Sequence, residues 1–266
     1  MDRIQEISFL VLGQLAVGGA FLLALPSLKE AGLSFYRTNG IVLFITFLLG
    51  IAISGSFWPM QLQSTLLWFH AGFAVIFFVY NLRLWFRHPH HSVVLIFGAV
   101  FLGTVGLILS LLSYVSQERS FFHILMVVVS LVVSSLLLGS GVLAMLLGHS
   151  YLTDPTRSIV PLRHFSKIFM GLVYIQGGVT AINMAVSFSY ERIVDALVLN
   201  TFEGLYLWIR LAIGLIGPMI LAPMILETVS ERATMSATGL LYVAMLMVII
   251  GALFSHFFLL VNGSPL

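Results

Sequence analysis

Long apolar runs, separated by short polar segments, follow one another along the whole chain. A membrane-spanning helix needs about 20 mostly apolar residues. Eight runs reach this length, and they cover residues 7–26, 39–57, 63–85, 92–115, 121–147, 166–188, 203–226 and 236–261. None alternates apolar and polar residues with a period of two, as a barrel strand would. The pattern predicts an all-α polytopic membrane protein, a single transmembrane domain over residues 1–266 built as a bundle of about eight helices.

Composition agrees with this class of protein. Hydrophobic residues make up 60% of the chain and charged residues only 8%, with a mean hydropathy of +1.09, whereas a soluble domain carries about 25% charged residues. The net charge of +2 gives no indication of a nucleic-acid partner. The absence of cysteine excludes disulfides, thiolate catalysis and cysteine-bound iron–sulfur clusters within this chain. Asp2 and Glu6 outweigh Arg3 before the first apolar run, so we expect that run to be retained as a helix rather than cleaved.

Basic residues are divided unequally between the two sides of the predicted helices. With eight helices both termini lie on one side, and that side carries Arg3, Arg119 and Arg192. The other side carries Lys29, Arg37, Arg83, Arg87, Arg157, Arg163, Lys167 and Arg232. Lys and Arg concentrate in cytoplasmic loops. The distribution therefore predicts a multi-pass protein of the cell inner (cytoplasmic) membrane with its N- and C-termini outside.

A few polar side chains interrupt the apolar runs at a shared predicted depth in the outer half of the membrane. They are Gln14, His70, Arg210 and His256, with His123 and Glu203 at the outer mouth. Ionisable groups at such depths are costly and usually face the interior of the bundle. The pattern thus predicts a polar pocket that is contributed by several helices.

Each of these groups also has a purely structural interpretation. Arg210 could extend to the outer interface and pair with Glu203, and His256 could be an interfacial anchor. Gln14 could be a hydrogen-bonding contact between helices, and His70 a satisfied core histidine. The segment RLWFRHPHH, which holds His88, His90 and His91, is expected to be a solvated face, because its spacing matches no zinc site.

Two kinds of redox site fit a polar pocket at this depth. A quinone ring needs hydrogen-bonding groups near each oxygen and a group that exchanges protons, which His, Arg and Gln supply. Haem b needs two histidines on facing helices, and His70 and His256 are the pair at a shared predicted depth. A haem pair would leave Gln14 and Arg210 without a role. The sequence nevertheless allows both a quinone site and a haem b site.

The stretch LGQLAVGGAFLLAL at 12–25 resembles the first helix of the membrane anchor of DMSO reductase, within the NrfD/polysulfide-reductase anchor group, which begins with a similar G-Q-x-x-x-G-G pattern. Shorter resemblances occur in FWPMQLQSTLLWFHAGFAVIFF at 57–78, LWIRLAIGLIGP at 207–218 and IIGALFSHFF at 249–258. This resemblance implies eight helices with both termini outside. It also implies a subunit with no catalytic residue or redox metal of its own, which binds menaquinone or ubiquinone and docks an iron–sulfur or cytochrome subunit.

The departures from the family pattern fall on polar positions. Gly55 or Ser56 stands where the anchor family has its quinol-site histidine, His70 where it has a glutamate, and Ala252 and His256 where it has a closing Glu and Arg. Polar positions thus recur while residue types change. By this resemblance the quinone would be bound by Gln14, His70, Arg210 and His256, with His70 accepting a quinol proton.

Three further classes compete with the quinone-binding anchor. A haem b subunit would use His70 and His256, and a structural subunit of a large membrane complex would need no site. A transporter would be expected to show broken helices near the membrane midplane, and Gly217, Pro218 and Pro223 interrupt the seventh run.

Overall fold

The computed structural model describes residues 2–26, 31–54, 63–86, 92–113, 120–153, 158–187, 197–200 and 202–262. The helices are α1 (Asp2–Leu23), α2 (Leu33–Ser54), α3 (Gln63–Arg83), α4 (Val93–Leu112), α5 (Phe121–Thr153), α6 (Val160–Ser187), α7 (Phe202–Leu211), α8 (Gly217–Ser230) and α9 (Thr234–Asn262). A π-helical turn, Ala212–Ile216, joins α7 to α8.

Eight segments of the described chain are long and apolar enough to cross a membrane, and the seventh, Gly204–Ser230, combines α7, the π turn and α8. No strand occurs in the described ranges. The prediction of an all-α bundle of about eight transmembrane helices is confirmed, and the chain is a multi-pass membrane protein.

Several helices, α2 and α5 among them, extend beyond the predicted apolar runs. Helix α5 continues past residue 147 to Thr153, and the Tyr151 hydroxyl donates to the carbonyl of Ser158, which ties the end of α5 to the start of α6. Helix α2 begins at Leu33, and the buried Asn39 donates from Nδ2 to the Phe35 carbonyl at 2.8 Å. Hydrogen bonds to the local backbone thus allow polar residues inside apolar helices.

Helix α1 lies at the centre of the bundle. In its membrane-spanning window 78% of the residues are buried, against 33–50% for the other spans. It packs against α2, α4, α5 and α9. A polar residue on α1 is therefore enclosed by protein rather than by lipid.

Glycines allow α1 and α5 to approach at backbone distance. A side chain at Gly18 would occupy the position of the Ser135 backbone, and one at Gly139 would meet the backbone of Gly18 and Gly19. Small residues at helix crossings in membranes permit this close packing. Gly18 and Gly19 thus let a neighbouring helix approach the α1 backbone.

The π turn in the seventh span follows from the Gly217–Pro218 sequence. Gly217 donates its backbone N–H to the Ala212 carbonyl, five residues back. Pro218 has no N–H to donate, so the Gly214 carbonyl loses its normal α-helical donor. The span nevertheless stays helical from Phe202 to Ser230. The interruption that favoured a transporter is a π bulge and not an unwound segment.

Candidate functional site

The first and last membrane spans meet at a buried pair of polar side chains. His256 on α9 and Gln14 on α1 share a hydrogen bond of 2.8 Å between Nε2 and Oε1. Because an amide oxygen only accepts, the imidazole Nε2 carries the proton, and Nδ1 is left as the acceptor nitrogen of the neutral ring. Both side chains are buried. This Gln14–His256 pair is a donor–acceptor unit enclosed in the protein.

A small cavity adjoins the Gln14–His256 pair. Its volume, taken as the space open to the centre of a water-sized sphere, is about 10 Å³, which is room for about one water molecule. Three serines, three leucines and a valine complete its lining: Ser130, Ser134, Ser255, Leu111, Leu131, Leu259 and Val127. We refer to it as the polar cavity. Hydroxyl and amide groups converge here from α1, α5 and α9, with Leu111 of α4 forming one wall.

The amide N–H of Gln14 is only loosely held. Its Nε2 lies 3.5 Å from the Leu131 carbonyl, at the outer limit of a hydrogen bond. The same carbonyl accepts a 2.7 Å bond from the Ser135 hydroxyl. Gln14 can therefore turn its N–H toward another acceptor without leaving the Leu131 carbonyl unsatisfied.

Arg210 lies inside the bundle beside α9. Its guanidinium donates from Nη2 to the Thr180 hydroxyl and from Nη1 to the Gly214 carbonyl, both at 3.5 Å. The second acceptor is the carbonyl whose α-helical donor Pro218 removes. Nη1 lies 3.0 Å from the position that a Cβ on Gly251 of α9 would take, so the guanidinium packs against α9. Arg210 therefore lies beside α9, the helix that carries His256.

His70 belongs to a second polar cluster, between α3 and α4. Its Nε2 is 3.1 Å from the Ser110 hydroxyl, which itself donates to the Gly106 carbonyl at 2.8 Å. The Ser110 oxygen therefore accepts from His70. The ring also makes an edge contact with Phe9 at 5.1 Å and a tilted contact with Phe47 at 6.0 Å.

The two clusters lie on different sides of α1. Phe9, which contacts His70, and Gln14, which contacts His256, are separated by about 140° around the helix axis, from 3.6 residues per turn. Gly13 shares the Phe9 side, since a Cβ there would meet Leu107 of α4. Of the four residues predicted to share a site, Gln14 and His256 are in direct contact, Arg210 adjoins them, and His70 lies across the central helix.

The structure also shows where some of the other polar residues lie, while the rest fall outside the described residues. His123 is buried near the start of α5. His149, which is not one of the predicted site residues, is exposed on α5 and has its Nδ1 3.3 Å from the Tyr242 hydroxyl on α9. Outside the described residues lie Gly55, Ser56, His88, His90, His91 and the side chain of Glu203. The predicted Arg210–Glu203 contact therefore stays a prediction.

Sequence reasoning missed the hydroxyl partners of the site. Ser110 and Thr180, which bond His70 and Arg210, were not among the predicted site residues. A signal was present on α6, where Gln176, Thr180 and Asn183 follow the i, i+4, i+7 spacing of one helix face. All three are buried. A polar stripe in an apolar span indicates a face that is turned toward other helices.

Comparison with known proteins adds no assignment: no family model, curated protein or solved structure matches this chain. Within the described residues, no group of three or more His, Asp or Glu side chains is arranged to hold a metal ion. The fold defines the chain as a multi-pass α-helical membrane protein. The site defines it further, as one whose central helix carries a buried amide that is hydrogen-bonded to an imidazole on the last span.

Proposed function

We propose that this protein is a quinone-binding membrane subunit of a respiratory oxidoreductase complex, and that the quinone ring binds at Gln14 and His256. The observation that carries the proposal is the buried hydrogen bond between these side chains beside a cavity of polar groups. The resemblance of residues 12–25 to the first helix of the DMSO-reductase-type anchor supports it from the sequence.

The pair supplies the two functions that quinone chemistry requires. The loosely held N–H of Gln14 donates to a quinone carbonyl oxygen. The acceptor nitrogen of the neutral His256 imidazole takes a proton from the quinol, as a general base within hydrogen-bonding reach does. Arg210 stabilises the negative charge that develops on the quinol oxygen as the proton leaves.

Ring binding requires the polar cavity to widen, because its present volume of about 10 Å³ holds about one water molecule. The wall that separates most easily is between α4 and α5, which share few contacts compared with the pairs α1–α5 and α3–α4. Leu111 on α4 and Val127 on α5 lie on opposite sides of this seam. Outward movement of these two side chains would admit the ring.

His70 has a separate place in the proposal. The sequence assigned it the proton-accepting role, and its bond to Ser110 is one residue from Leu111, which lines the polar cavity. We propose His256 as the first proton acceptor, because it contacts Gln14 directly, and His70 as a second proton-exchanging group on the other side of α1. Catalysis of the overall redox reaction belongs to partner subunits.

Haem b remains the second candidate, with His70 and His256 as axial ligands. In the structure the Nε2 of each imidazole is already bonded, to Ser110 and to Gln14 respectively. The two rings also contact different sides of α1. These contacts favour the quinone, and an optical spectrum of the purified protein separates the two, since only haem gives a Soret band.

The partner would be an iron–sulfur or cytochrome subunit. This chain contains no cysteine, so clusters that need cysteine ligands must come from another chain. Isolation of the complex from native membranes under mild detergent should recover such a subunit. Recovery of the chain alone, stable and without redox partners, would contradict this part of the proposal.

The ring site is tested by equilibrium binding of a quinone to the purified full-length chain in lipid nanodiscs. Gln14→Leu should weaken binding by about 5- to 150-fold, since loss of a hydrogen bond to a buried acceptor costs roughly 1–3 kcal/mol. Gln176→Leu is the matched control: Gln14 is 0% and Gln176 2% exposed, and both lie on spanning helices. His256→Leu is compared in the same way with His123→Leu.

Equal affinities in the Gln14 and Gln176 variants would refute the assignment of the ring site. A Soret band in the wild type that is lost in both His70→Leu and His256→Leu would instead favour the haem b subunit.

A further inference from the structure

A second, larger cavity adjoins the polar one. It has a volume of about 210 Å³ and lies between α1, α4 and α5. Its lining is almost entirely apolar, with Thr104 and Ser135 as its hydroxyl groups: Val17, Gly18, Phe21, Val100, Thr104, Leu107, Leu131, Val132, Ser135 and Leu136. We call it the α4–α5 cleft. Val132 is exposed on the outside of the bundle, so the cleft opens toward lipid.

The α4–α5 cleft continues the polar cavity along the same three helices. On α4 the polar cavity is lined by Leu111 and the cleft by Leu107, one turn away. On α1 the order is Gln14 and then Val17, and on α5 Leu131 lines both cavities. The cleft extends from the polar cavity toward the end of the bundle that carries Arg83, Arg163, Lys167 and Arg232, which we call the basic end.

This arrangement matches the shape of one kind of ligand, a small polar ring that carries a long apolar chain. We propose that the α4–α5 cleft holds the prenyl tail of the quinone and is the path by which the molecule enters from the membrane. The inference rests on the proposed function and deepens it, since it assigns the tail and the route. Gly18 and Ser135, whose backbones pack closely against each other, form part of the floor of this path.

The cleft would select the tail by shape rather than by hydrophobicity. A prenyl chain that leaves lipid for an apolar cleft gains little from the hydrophobic effect, because lipid tails are equally apolar. What the cleft provides is a fixed direction for the chain, which orients the attached ring toward Gln14. A side chain that fills the cleft should therefore exclude a tailed quinone by steric clash and still admit a ring that has no tail.

The test measures binding to the full-length chain in phosphatidylcholine nanodiscs with two ligands. One is a quinone with a long prenyl tail, and the other is the same ring with a methyl group in place of the tail. The cleft-filling variants are Thr104→Phe and Leu136→Phe, and the milder Thr104→Leu is used if either fails to fold. Val94→Phe is the control, because Val94 is on the same helix, α4, and is 81% exposed outside the cleft.

We expect the filling variants to weaken the tailed quinone at least about tenfold and to leave the tailless ring unchanged, while Val94→Phe changes neither. Unchanged affinity for the tailed quinone in both filling variants would overturn the tail assignment alone, with the ring site intact. A wild-type protein that binds neither ligand would overturn the proposed function and the tail assignment with it. Equal loss for both ligands would show that the cleft is not a tail site.

Discussion

Gln14 and His256, which are 242 positions apart in the chain, share a hydrogen bond of 2.8 Å inside the bundle. This bond joins the first membrane span to the last. Each residue satisfies a polar group of the other where water is excluded, and an unsatisfied group there is costly. The pair is therefore both a link between distant helices and the centre of the candidate site.

The bond predicts that the two residues are energetically coupled. In a double-mutant cycle with Gln14→Leu and His256→Leu, we expect a coupling of about 0.6 kcal/mol, and at most about 1.7 kcal/mol, the range for hydrogen bonds between membrane helices. The measurement is reversible unfolding of the purified protein in mixed micelles. Strictly additive effects of the two substitutions would show that the bond does not contribute to stability.

Gly18 is predicted to be indispensable for the packing of α1 against α5. Gly18→Ala places a methyl group on the backbone of Ser135, and neither backbone can yield without separating the helices, so the protein should lose about 1–3 kcal/mol of stability. Gly98→Ala is the control, since a Cβ at Gly98 would meet nothing within 4 Å. Thermal unfolding measured by tryptophan fluorescence compares them, and a Gly18 variant as stable as the Gly98 variant would contradict the prediction.

The contact between Gly214 and Gly251 is predicted to set the position of Arg210. A Cβ on Gly251 would meet the Gly214 backbone and lie 3.0 Å from Arg210 Nη1. Gly251→Ala should therefore displace the π turn and weaken quinone binding, whereas Gly239→Ala, on the same helix with open space around its Cβ, should not. Both quinone affinity and the midpoint of thermal unfolding are measured for each variant. A loss of affinity without a lower midpoint indicates that the site is displaced while the protein stays folded. Equal quinone affinity in the two variants would count against a positioning role for Gly251.

The two histidines are predicted to differ in their effect on quinol turnover. In the intact complex, His256→Leu should abolish quinol oxidation and also weaken binding, because it removes the group that contacts Gln14. His70→Leu should slow turnover with little change in binding, because His70 lies on the other side of α1. The measurement is the Michaelis constant for quinol and the turnover number of each variant complex, since His70→Leu should lower mainly the turnover number. Identical effects of the two substitutions would argue for one shared site.

The orientation is predicted from the distribution of basic residues. A periplasmic reporter such as alkaline phosphatase should be active when fused after residue 266 and inactive when inserted between α8 and α9, beside Arg232. The opposite result at both positions would place the termini in the cytoplasm.

The class of protein and the number of spans follow from the apolar pattern of the chain. Apolar runs of about 20 residues have one stable arrangement in lipid, because every backbone N–H and C=O must be satisfied within the segment and a helix does this locally. The eight spans were therefore predictable without any knowledge of their packing. The sequence also indicated that Gln14, Arg210 and His256 face the interior, because the cost of exposing polar groups to lipid depends on residue type and depth, and both can be counted along the chain.

Which polar groups meet depends on how the helices pack against one another. Depth along a helix can be counted from the sequence, but rotation and neighbours depend on packing. Helix α1 became the central helix because Gly18 and Gly139 let α5 approach its backbone, and this turned Gln14 toward His256 and Phe9 toward His70. The four residues predicted at one depth were thus divided between two sides of one helix, a division that arises from contacts between segments far apart in the chain.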